Sequence, residues 1–233
     1  MKHDWKAITL NEFTKTFTYE GQAIFEQKYL DALKFHAPGI APVQDETGWY
    51  HIDISGKAIY TPRYIRAFGY YDNRASVMEQ SGWRIIDETG TPINKISYRW
   101  TGNFQENLCT VRTQNGNYHH ININGNKVYK SEYQYVGDFK YGFACAMNEG
   151  QSFTHIDKKG DFLHGKWYQE LGVYHKGFAT AKDADGWMHI DFEGKPIYSA
   201  RFHSLEPFYN GFAFAAKNGQ KVIVDERGRI DVL

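Results

Sequence analysis

The sequence predicts an all-β protein built from about six repeats of 34 to 35 residues. Three observations support this fold class: a glycine that recurs at a nearly fixed spacing, an acidic or amide residue three positions before it, and an aromatic residue eight positions after it. Residues 186–198, which read Gly-Trp-Met-His-Ile-Asp-Phe-Glu-Gly-Lys-Pro-Ile-Tyr, are nearest to the consensus of these repeats.

Each repeat is predicted to contain a turn of the form Asp-x-x-Gly. The recurring glycines are Gly21, Gly56, Gly90, Gly125, Gly160, Gly194 and Gly228. The residues three positions earlier are Thr18, Asp53, Asp87, Asn122, Asp157, Asp191 and Asp225. Aspartate at the first position of a turn accepts backbone N–H bonds, and glycine at the fourth position tolerates positive φ. Because apolar runs flank the pattern, each copy indicates a β-hairpin.

Three further columns of the repeat indicate packing and turn positions. The aromatic column is Tyr29, Tyr64, Tyr98, Tyr133, Tyr168 and Phe202. A second column holds Gly39, Asn73, Asn107, Gly142, Gly177 and Gly211, the residue types that best tolerate left-handed backbone. Two positions later stand the small residues Ala41, Ala75, Cys109, Ala144, Ala179 and Ala213. We expect the small residues where neighbouring repeats approach closely.

The first full repeat, residues 35–67, shows the predicted order of elements. Residues 40–44, 49–54 and 57–61 are predicted as strands, followed by a connection or short fourth strand at 64–69. Six such units and two incomplete ends favour a propeller-like closed ring, because the two ends would complete one shared unit. An open β-solenoid is the alternative, since 34 residues are few for a four-stranded blade.

The domain prediction is a single array over residues 17–233. Residues 1–16 match no repeat, and the loose helical spacing of Leu10, Phe13 and Phe17 indicates a short capping helix or an irregular arm. The array is predicted to start in the middle of a repeat, because nothing before Gly21 resembles the first half of a unit.

Composition disfavours several classes of partner and location. The formal net charge is zero, so no global positive charge marks the chain as binding nucleic acid or an anionic membrane. No apolar run is long enough for a membrane-spanning helix, and the first ten residues contain no apolar signal-peptide core. The two cysteines, Cys109 and Cys145, are predicted to be reduced, buried thiols. We therefore expect a soluble cytoplasmic protein.

The repeat pattern resembles the WG-repeat (KWG-repeat) family of bacterial β-rich repeat proteins. The pairs that carry the resemblance are Gly48-Trp49, Gly82-Trp83 and Gly186-Trp187, each followed by Ile-Asp-x-x-Gly or a close variant. The resemblance implies a β-rich repeat fold and a non-catalytic binding or scaffolding role. Some members of the family resemble accessory domains attached to class I methyltransferases, but this sequence has no glycine-rich loop of the methyltransferase type.

One histidine column is the group with the clearest potential for chemistry. His51, His120, His155 and His189 each stand two residues before the turn Asp or Asn. Converging imidazoles can bind a metal ion, so these residues are the candidate ligands if the protein has a metal. A structural role is favoured, in which each ring bonds a carbonyl of a neighbouring strand or stacks on a tyrosine. Ile85 and Ile223 interrupt the column, and no cofactor is expected.

Five other residues are candidates for binding. Trp100 and Trp167 are interpreted as lying off the repeat phase, with Arg99 and Lys166 beside them, and exposed tryptophans suit stacking on a ligand. His175 and Tyr209 belong to distinctive stretches between repeats, for which a turn role is favoured. The candidate binding residues are therefore Trp100, Arg99, Trp167, His175 and Tyr209, and no catalytic residue is assigned.

The sequence favours a non-catalytic module that recognises protein or peptide. A carbohydrate-binding module is one alternative, and it would require several equivalent pockets lined by Trp and Tyr. An accessory domain related to those of class I methyltransferases is a second, and a small metal-dependent enzyme that uses the histidine column is a third. An enzyme would require one pocket that breaks the repeat, whereas a binding module would present an exposed aromatic face.

Overall fold

The computed structural model describes residues 4–233, in which the regular structure is one 3-10 turn, Trp5–Ala7, and 22 short strands in seven antiparallel sheets. The strands of the first four sheets are β1 (Thr9–Asn11), β2 (Thr16–Tyr19), β3 (Gln22–Ala23); β4 (Asp31–Ala32), β5 (Ile40–Asp45), β6 (Gly48–Asp53); β7 (Arg66–Ala67), β8 (Ala75–Glu79), β9 (Gly82–Ile86); and β10 (Trp100–Gln105), β11 (Leu108–Arg112), β12 (Tyr118–Asn122). The strands of the last three are β13 (Tyr135–Val136), β14 (Phe143–Met147), β15 (Phe153–Asp157); β16 (Glu170–Leu171), β17 (Ala179–Asp183), β18 (Gly186–Ile190); and β19 (Ser204–Leu205), β20 (Phe212–Lys217), β21 (Gln220–Asp225), β22 (Ile230–Val232). The prediction of an all-β repeat fold is confirmed.

The chain divides into two compact units. The first consists of Met1–Gly116 and His120–Lys127, and the second of Asn117–His119 and Val128–Leu233. The closed ring stays a prediction. Within residues 4–233, no helix has the length and apolar character needed to cross a membrane.

Most full repeats form a small sheet with a two-residue first strand and a longer hairpin, whereas the first strand of the fourth sheet, β10, has 6 residues. In the third sheet, β8 pairs with β9 from Ala75 opposite Ile86 to Glu79 opposite Gly82. The chain then returns along the outer edge of β9, where isolated bridges join Ile86 to Pro92 and Trp83 to Tyr98. The segment that corresponds to the predicted third strand at 57–61 is therefore reduced here to the Ile86–Pro92 bridge, and in the seventh sheet it becomes the regular strand β22. The predicted connection or fourth strand at 64–69 contains β7, which pairs with β8 of the next sheet.

The Asp-x-x-Gly turns form as predicted. In the third repeat, the Asp87 carboxylate accepts the N–H groups of Thr89 and Thr91 at 2.9 and 3.0 Å, and Gly90 has a φ of +83°. Equivalent side-chain acceptors stand at Asp53, Asn122, Asp157, Asp191 and Asp225. Gly90 is also in close contact with the preceding repeat, because a Cβ there would lie 2.2 Å from the Tyr60 ring. The turn glycine therefore serves both the backbone conformation and the packing between repeats.

From Asn73 onward, the second glycine and asparagine column marks two-residue turns with left-handed backbone. Gly177 and Gly211 have φ of +91° and +83°, and the residues before them, Lys176 and Asn210, have φ of +50° and +51°. Two consecutive positive φ values are typical of the type I′ turn, whose twist matches that of the strands it joins. These turns lead directly into the second strand of each sheet.

The aromatic and small-residue columns lie in the core, as predicted. Tyr98 and Phe202 are buried, and so are Ala41 and Ala144. Cys109 and Cys145 are both buried thiols that form no disulfide, as predicted, and burial raises the pKa of Cys145 to about 12.

The first sheet differs from the sequence prediction. Strand β1 pairs with β2, from Thr9 opposite Thr18 to Asn11 opposite Thr16. The segment expected to be a capping helix or irregular arm therefore supplies a strand as well as the 3-10 turn, and paired structure begins before residue 17. The reason is that pairing uses backbone groups, so Thr-Leu-Asn can form this strand without the column residues of the repeat.

Candidate functional site

The histidine column is buried in the sheets, and its rings are already bonded. The Nε2–H of His51 donates to the Phe68 carbonyl at 2.8 Å, and its Nδ1 accepts from the Tyr60 hydroxyl. His189 repeats this arrangement, with Nε2–H donating to the Glu206 carbonyl at 2.9 Å and Nδ1 accepting from Tyr198. Each ring therefore joins its own sheet to the segment that begins the next sheet.

The divergent repeat uses a second histidine in place of the tyrosine. The backbone N–H of Lys166 donates to Nδ1 of His164 at 3.1 Å, and Nε2–H of His164 donates to Nδ1 of His155 at 3.1 Å. Nε2–H of His155 then donates to the Gly172 carbonyl at 2.9 Å. This chain of donors and acceptors requires both rings to be neutral.

Burial keeps His51, His155 and His189 uncharged near neutral pH. Loss of solvation lowers the pKa of His51, His155 and His189 to about 4 in each case. His120 is buried to the same extent. Among residues 4–233, no three or more His, Cys, Asp or Glu side chains are grouped as a metal site would require. Coordination by His51, His155 or His189 would also require a ring to give up a hydrogen bond that it makes in the structure.

Trp100 and Arg99 begin the fourth sheet. Trp100 is the first residue of β10 and lies opposite Arg112. Arg66 and Glu170 hold the same position in β7 and β16, so Trp100 is in phase with the repeat, contrary to the sequence interpretation. The residue types in this column differ too much for the period to be visible in the sequence. Arg99 and Trp100 are both exposed.

Trp167 is exposed on the second unit. Its ring contacts the edge of Phe162, with 5.4 Å between centroids. It immediately precedes Tyr168 of the aromatic column, so it too is in phase with the repeat. Arg63 and Arg201 occupy equivalent positions in other repeats.

The structure brings His175 and Tyr209 together, with 5.3 Å between ring centroids. Both stand at type I′ turns, where His175 bonds with Phe178 and Tyr209 bonds with Phe212 through backbone groups. The Nε2 atom of His175 is buried and has no hydrogen-bond partner. Tyr209 is exposed and leads onto the outer face of the last sheet.

The outer face of the last sheet carries several exposed apolar side chains. We call it the terminal aromatic surface and define it as Pro207, Tyr209, Phe212, Phe214 and Ile223. Tyr209, Phe212 and Phe214 are 63%, 53% and 57% exposed. These side chains line a depression of about 290 Å³, with Glu206 at its edge. An exposed apolar patch of this kind is typical of a site for a protein partner.

Strand alternation explains why these rings are exposed. In β20, Ala213 and Ala215 face inward and are buried with Phe208 and Val222, while Phe212 and Phe214 face outward. Phe214 stands at a position that is buried and small or polar in the other repeats, namely Pro42, Ser76, Thr110, Cys145 and Thr180. The sequence interpretation assigned no binding role to Phe212 or Phe214. The signal that would have identified Phe214 is this replacement of a small residue by an aromatic one.

A second, more polar depression lies in the first unit. It measures about 670 Å³ and is lined by residues that include Phe13, Lys15, Lys34, His36 and Tyr71. Phe13 is 97% exposed in the loop between β1 and β2. The walls mix charged and apolar side chains, so this groove lacks the continuous aromatic face of the second unit.

Comparison with known proteins identifies the repeat. The family model described as WG containing repeat matches residues 83–118, 121–151 and 187–220. No curated protein sequence matches this chain.

Similar solved structures include a eukaryotic initiation factor, at 11% identity over 92% of this chain and 67% of that one, with a TM-score of 0.57. They also include BamB from Moraxella catarrhalis, at 14% identity over 97% and 75% of the two chains and a TM-score of 0.43. The WD40 beta propeller domain of Doa1 is similar at 13% identity over 87% and 77%, with a TM-score of 0.37. At these identities the likenesses concern the fold alone. The three segments that the family model matches therefore carry WG-containing repeats, as the sequence predicted.

Proposed function

We propose that this chain is a non-catalytic module that binds protein or peptide segments through the terminal aromatic surface. The observation that carries the proposal is the row of three aromatic side chains, Tyr209, Phe212 and Phe214, each more than half exposed beside an apolar depression. Aromatic residues are enriched among those that dominate the energy of protein interfaces. Tyr209 therefore serves as a contact residue, and His175 supports its ring.

The other predicted binding residues have a lesser place in this proposal. Trp100 with Arg99, and Trp167 with Phe162, are exposed aromatic groups that would serve as additional contacts. A cytoplasmic location is part of the proposal, and the thiols of Cys109 and Cys145, which form no disulfide, support it, because reduced thiols are the rule in that compartment.

Carbohydrate binding and metal-dependent catalysis have weaker support than peptide binding. A carbohydrate-binding module would repeat its pocket from unit to unit, whereas the terminal aromatic surface occurs on the last sheet and includes Phe214, which the other repeats lack. A metal-dependent enzyme would use the histidine column, whose rings at His51, His155 and His189 are bonded within the sheets.

The proposal is tested by selection from a displayed peptide library in parallel with a glycan array. The wild-type chain is expected to enrich peptides and to ignore glycans. A Phe212→Thr/Phe214→Thr variant is expected to lose the enrichment, because threonine keeps the strand propensity but removes both rings. Tyr141→Asn is the matched control, since Tyr141 is also 60% exposed on the second unit but lies outside the surface.

Three results would contradict this function. They are specific binding of glycans without peptides, enrichment of nothing, and peptide enrichment that survives the double substitution. Thermal melting of each variant shows whether the fold is retained.

A further inference from the structure

On three sheets inside the array, the face that corresponds to the terminal aromatic surface has an aromatic side chain packed on it. On the sixth sheet, the ring of Phe208 stacks on His189 at 3.8 Å and contacts Phe178 at 5.4 Å. On the fifth sheet, Tyr174 lies 4.4 Å from His155 and 5.8 Å from Phe143.

The second sheet shows the same occupant. Tyr70 lies 4.8 Å from His51 and belongs to the same core cluster as Ile40. In each of these three cases, the aromatic residue comes from the extended segment that begins the next sheet. The residue before it is Gly69, Val173 or Pro207.

The terminal aromatic surface is the seventh member of this series of interfaces. Phe212 holds the position of Phe178, and Ile223 holds that of His189. Phe214 holds the position of Thr180, which is buried in the sixth sheet. The surface therefore continues an established interface of the fold but is exposed to solvent, and the internal copies show which chemistry covers it.

We propose that the terminal aromatic surface accepts an extended peptide segment that inserts a Phe or Tyr side chain where Phe208 sits on the sixth sheet. This inference rests on the proposed function and names its ligand class. Because Ile223 replaces the histidine, the surface offers no ring N–H for a carbonyl of the segment. Binding therefore depends on the inserted ring and its apolar neighbours.

The exposed area favours a short segment over a second copy of the chain. A Phe or Tyr ring buries roughly 150–250 Å² when it is covered completely. Three rings that are somewhat more than half exposed therefore offer about 350 Å², whereas a stable dimer buries about 800 Å² on each partner. The aromatic patch is large enough for a peptide but is less than half of a stable dimer interface.

The repeats themselves supply the probes. Two synthetic peptides with blocked ends copy residues 203–210, His-Ser-Leu-Glu-Pro-Phe-Tyr-Asn, and residues 169–176, Gln-Glu-Leu-Gly-Val-Tyr-His-Lys. Both are expected to bind the full chain saturably in calorimetric titrations. The Phe208→Ala and Tyr174→Ala versions are expected to bind about tenfold more weakly or worse, as for a central aromatic contact.

Matched protein variants show where the peptides bind. Phe212→Thr is expected to weaken binding by about tenfold, because Phe212 holds the position of Phe178, which contacts the Phe208 ring at 5.4 Å. Tyr141→Asn is expected to leave it within about twofold, since that ring lies outside the surface. Melting curves confirm that both variants are folded.

The outcomes separate this inference from the proposed function. Library peptides that need Phe212 and Phe214 but lack an aromatic residue, together with no binding of the repeat peptides, would overturn the inference and leave the function standing. Failure of both libraries and repeat peptides would overturn both. Concentration-dependent dimerisation that Phe212→Thr abolishes would overturn the inference in favour of a second copy.

Discussion

Lowering the pH from 7 to 5 is predicted to destabilise the folded chain through its buried histidines. The pKa of His51, His155 and His189 is about 4 in the folded chain and about 6.5 when the ring is solvated. Between these values the unfolded chain binds more protons than the folded one, so stability falls as the pH falls. Their contribution is fully present above pH 6.5 and is lost progressively toward pH 4.

The size of the effect follows from the same two pKa values. Between pH 7 and pH 5, proton uptake by the unfolded chain lowers the free energy of unfolding by about 2 kcal/mol for each of the three histidines, or roughly 5–6 kcal/mol together. Burial also lowers the pKa of His36 and His164, which adds to the effect in the same pH range. The total is comparable with the whole stability of an ordinary domain. Turn carboxylates such as Asp87, whose pKa is lowered by hydrogen bonds, lose their contribution at lower pH.

The assay is urea unfolding followed by circular dichroism at half-unit steps from pH 7 to pH 5. The matched variant is His189→Ile, because isoleucine holds the same position in Ile85 and Ile223. In the steep part of the range, the variant is expected to take up about one proton fewer than the wild-type chain on unfolding. Its free energy of unfolding therefore changes by about 1.4 kcal/mol less per pH unit. An unfolding free energy that is constant from pH 7 to pH 5, or a variant with the wild-type slope, would refute the account of the neutral histidine column.

Three further predictions concern the turns and the thiols. Gly219→Ala is expected to lower the free energy of unfolding by about 1 kcal/mol, because a Cβ there has open space and meets only the strain of positive φ. Gly90→Ala should lower it by at least about twice as much, because its Cβ would also meet an aromatic ring. Urea unfolding measures both, and equal losses would contradict the packing role of Gly90. Asp87→Ala is expected to lower the free energy of unfolding by about 1–2 kcal/mol. Asp87→Asn should lower it less, because the amide oxygen can still accept the turn N–H bonds. Similar losses in the two variants would contradict this role of Asp87. Burial and the raised pKa of Cys145 predict that a thiol reagent modifies it at pH 8 no faster than the chain unfolds, and immediate labelling in the absence of urea would count against its burial.

The turns could be predicted from the sequence because their residue types follow from local chemistry. Asp87 and Gly90 form the predicted turn, and Asn73 adopts the predicted left-handed backbone. The positive φ values of Glu106 and Tyr141 could not be predicted, because these residue types are uncommon in that conformation. The two-residue turn imposes them, because it requires positive φ at both of its residues and the following Asn or Gly is only one of the two.

The site was harder to predict because it depends on what covers each face. The alternation of Phe212 and Phe214 with alanines is visible in the sequence, but the sequence does not show which face is packed. Tyr209 was identified from its distinctive surroundings, and the structure places it at this surface. The regular spacing of the histidines could be read from the sequence. The carbonyl partners of His155 and His189 could not, because they belong to the following segment and only the fold brings that segment beside the rings.

A two-dimensional ¹H–¹⁵N NMR titration of the wild-type chain with the peptide 203–210 tests the central claim most directly. Binding at the terminal aromatic surface predicts saturable shift changes centred on Tyr209, Phe212, Phe214 and Ile223, with the same changes absent for the Phe208→Ala peptide. Shift changes centred instead on the groove of the first unit, around Phe13 and Lys15, or no saturable changes at all, would contradict it.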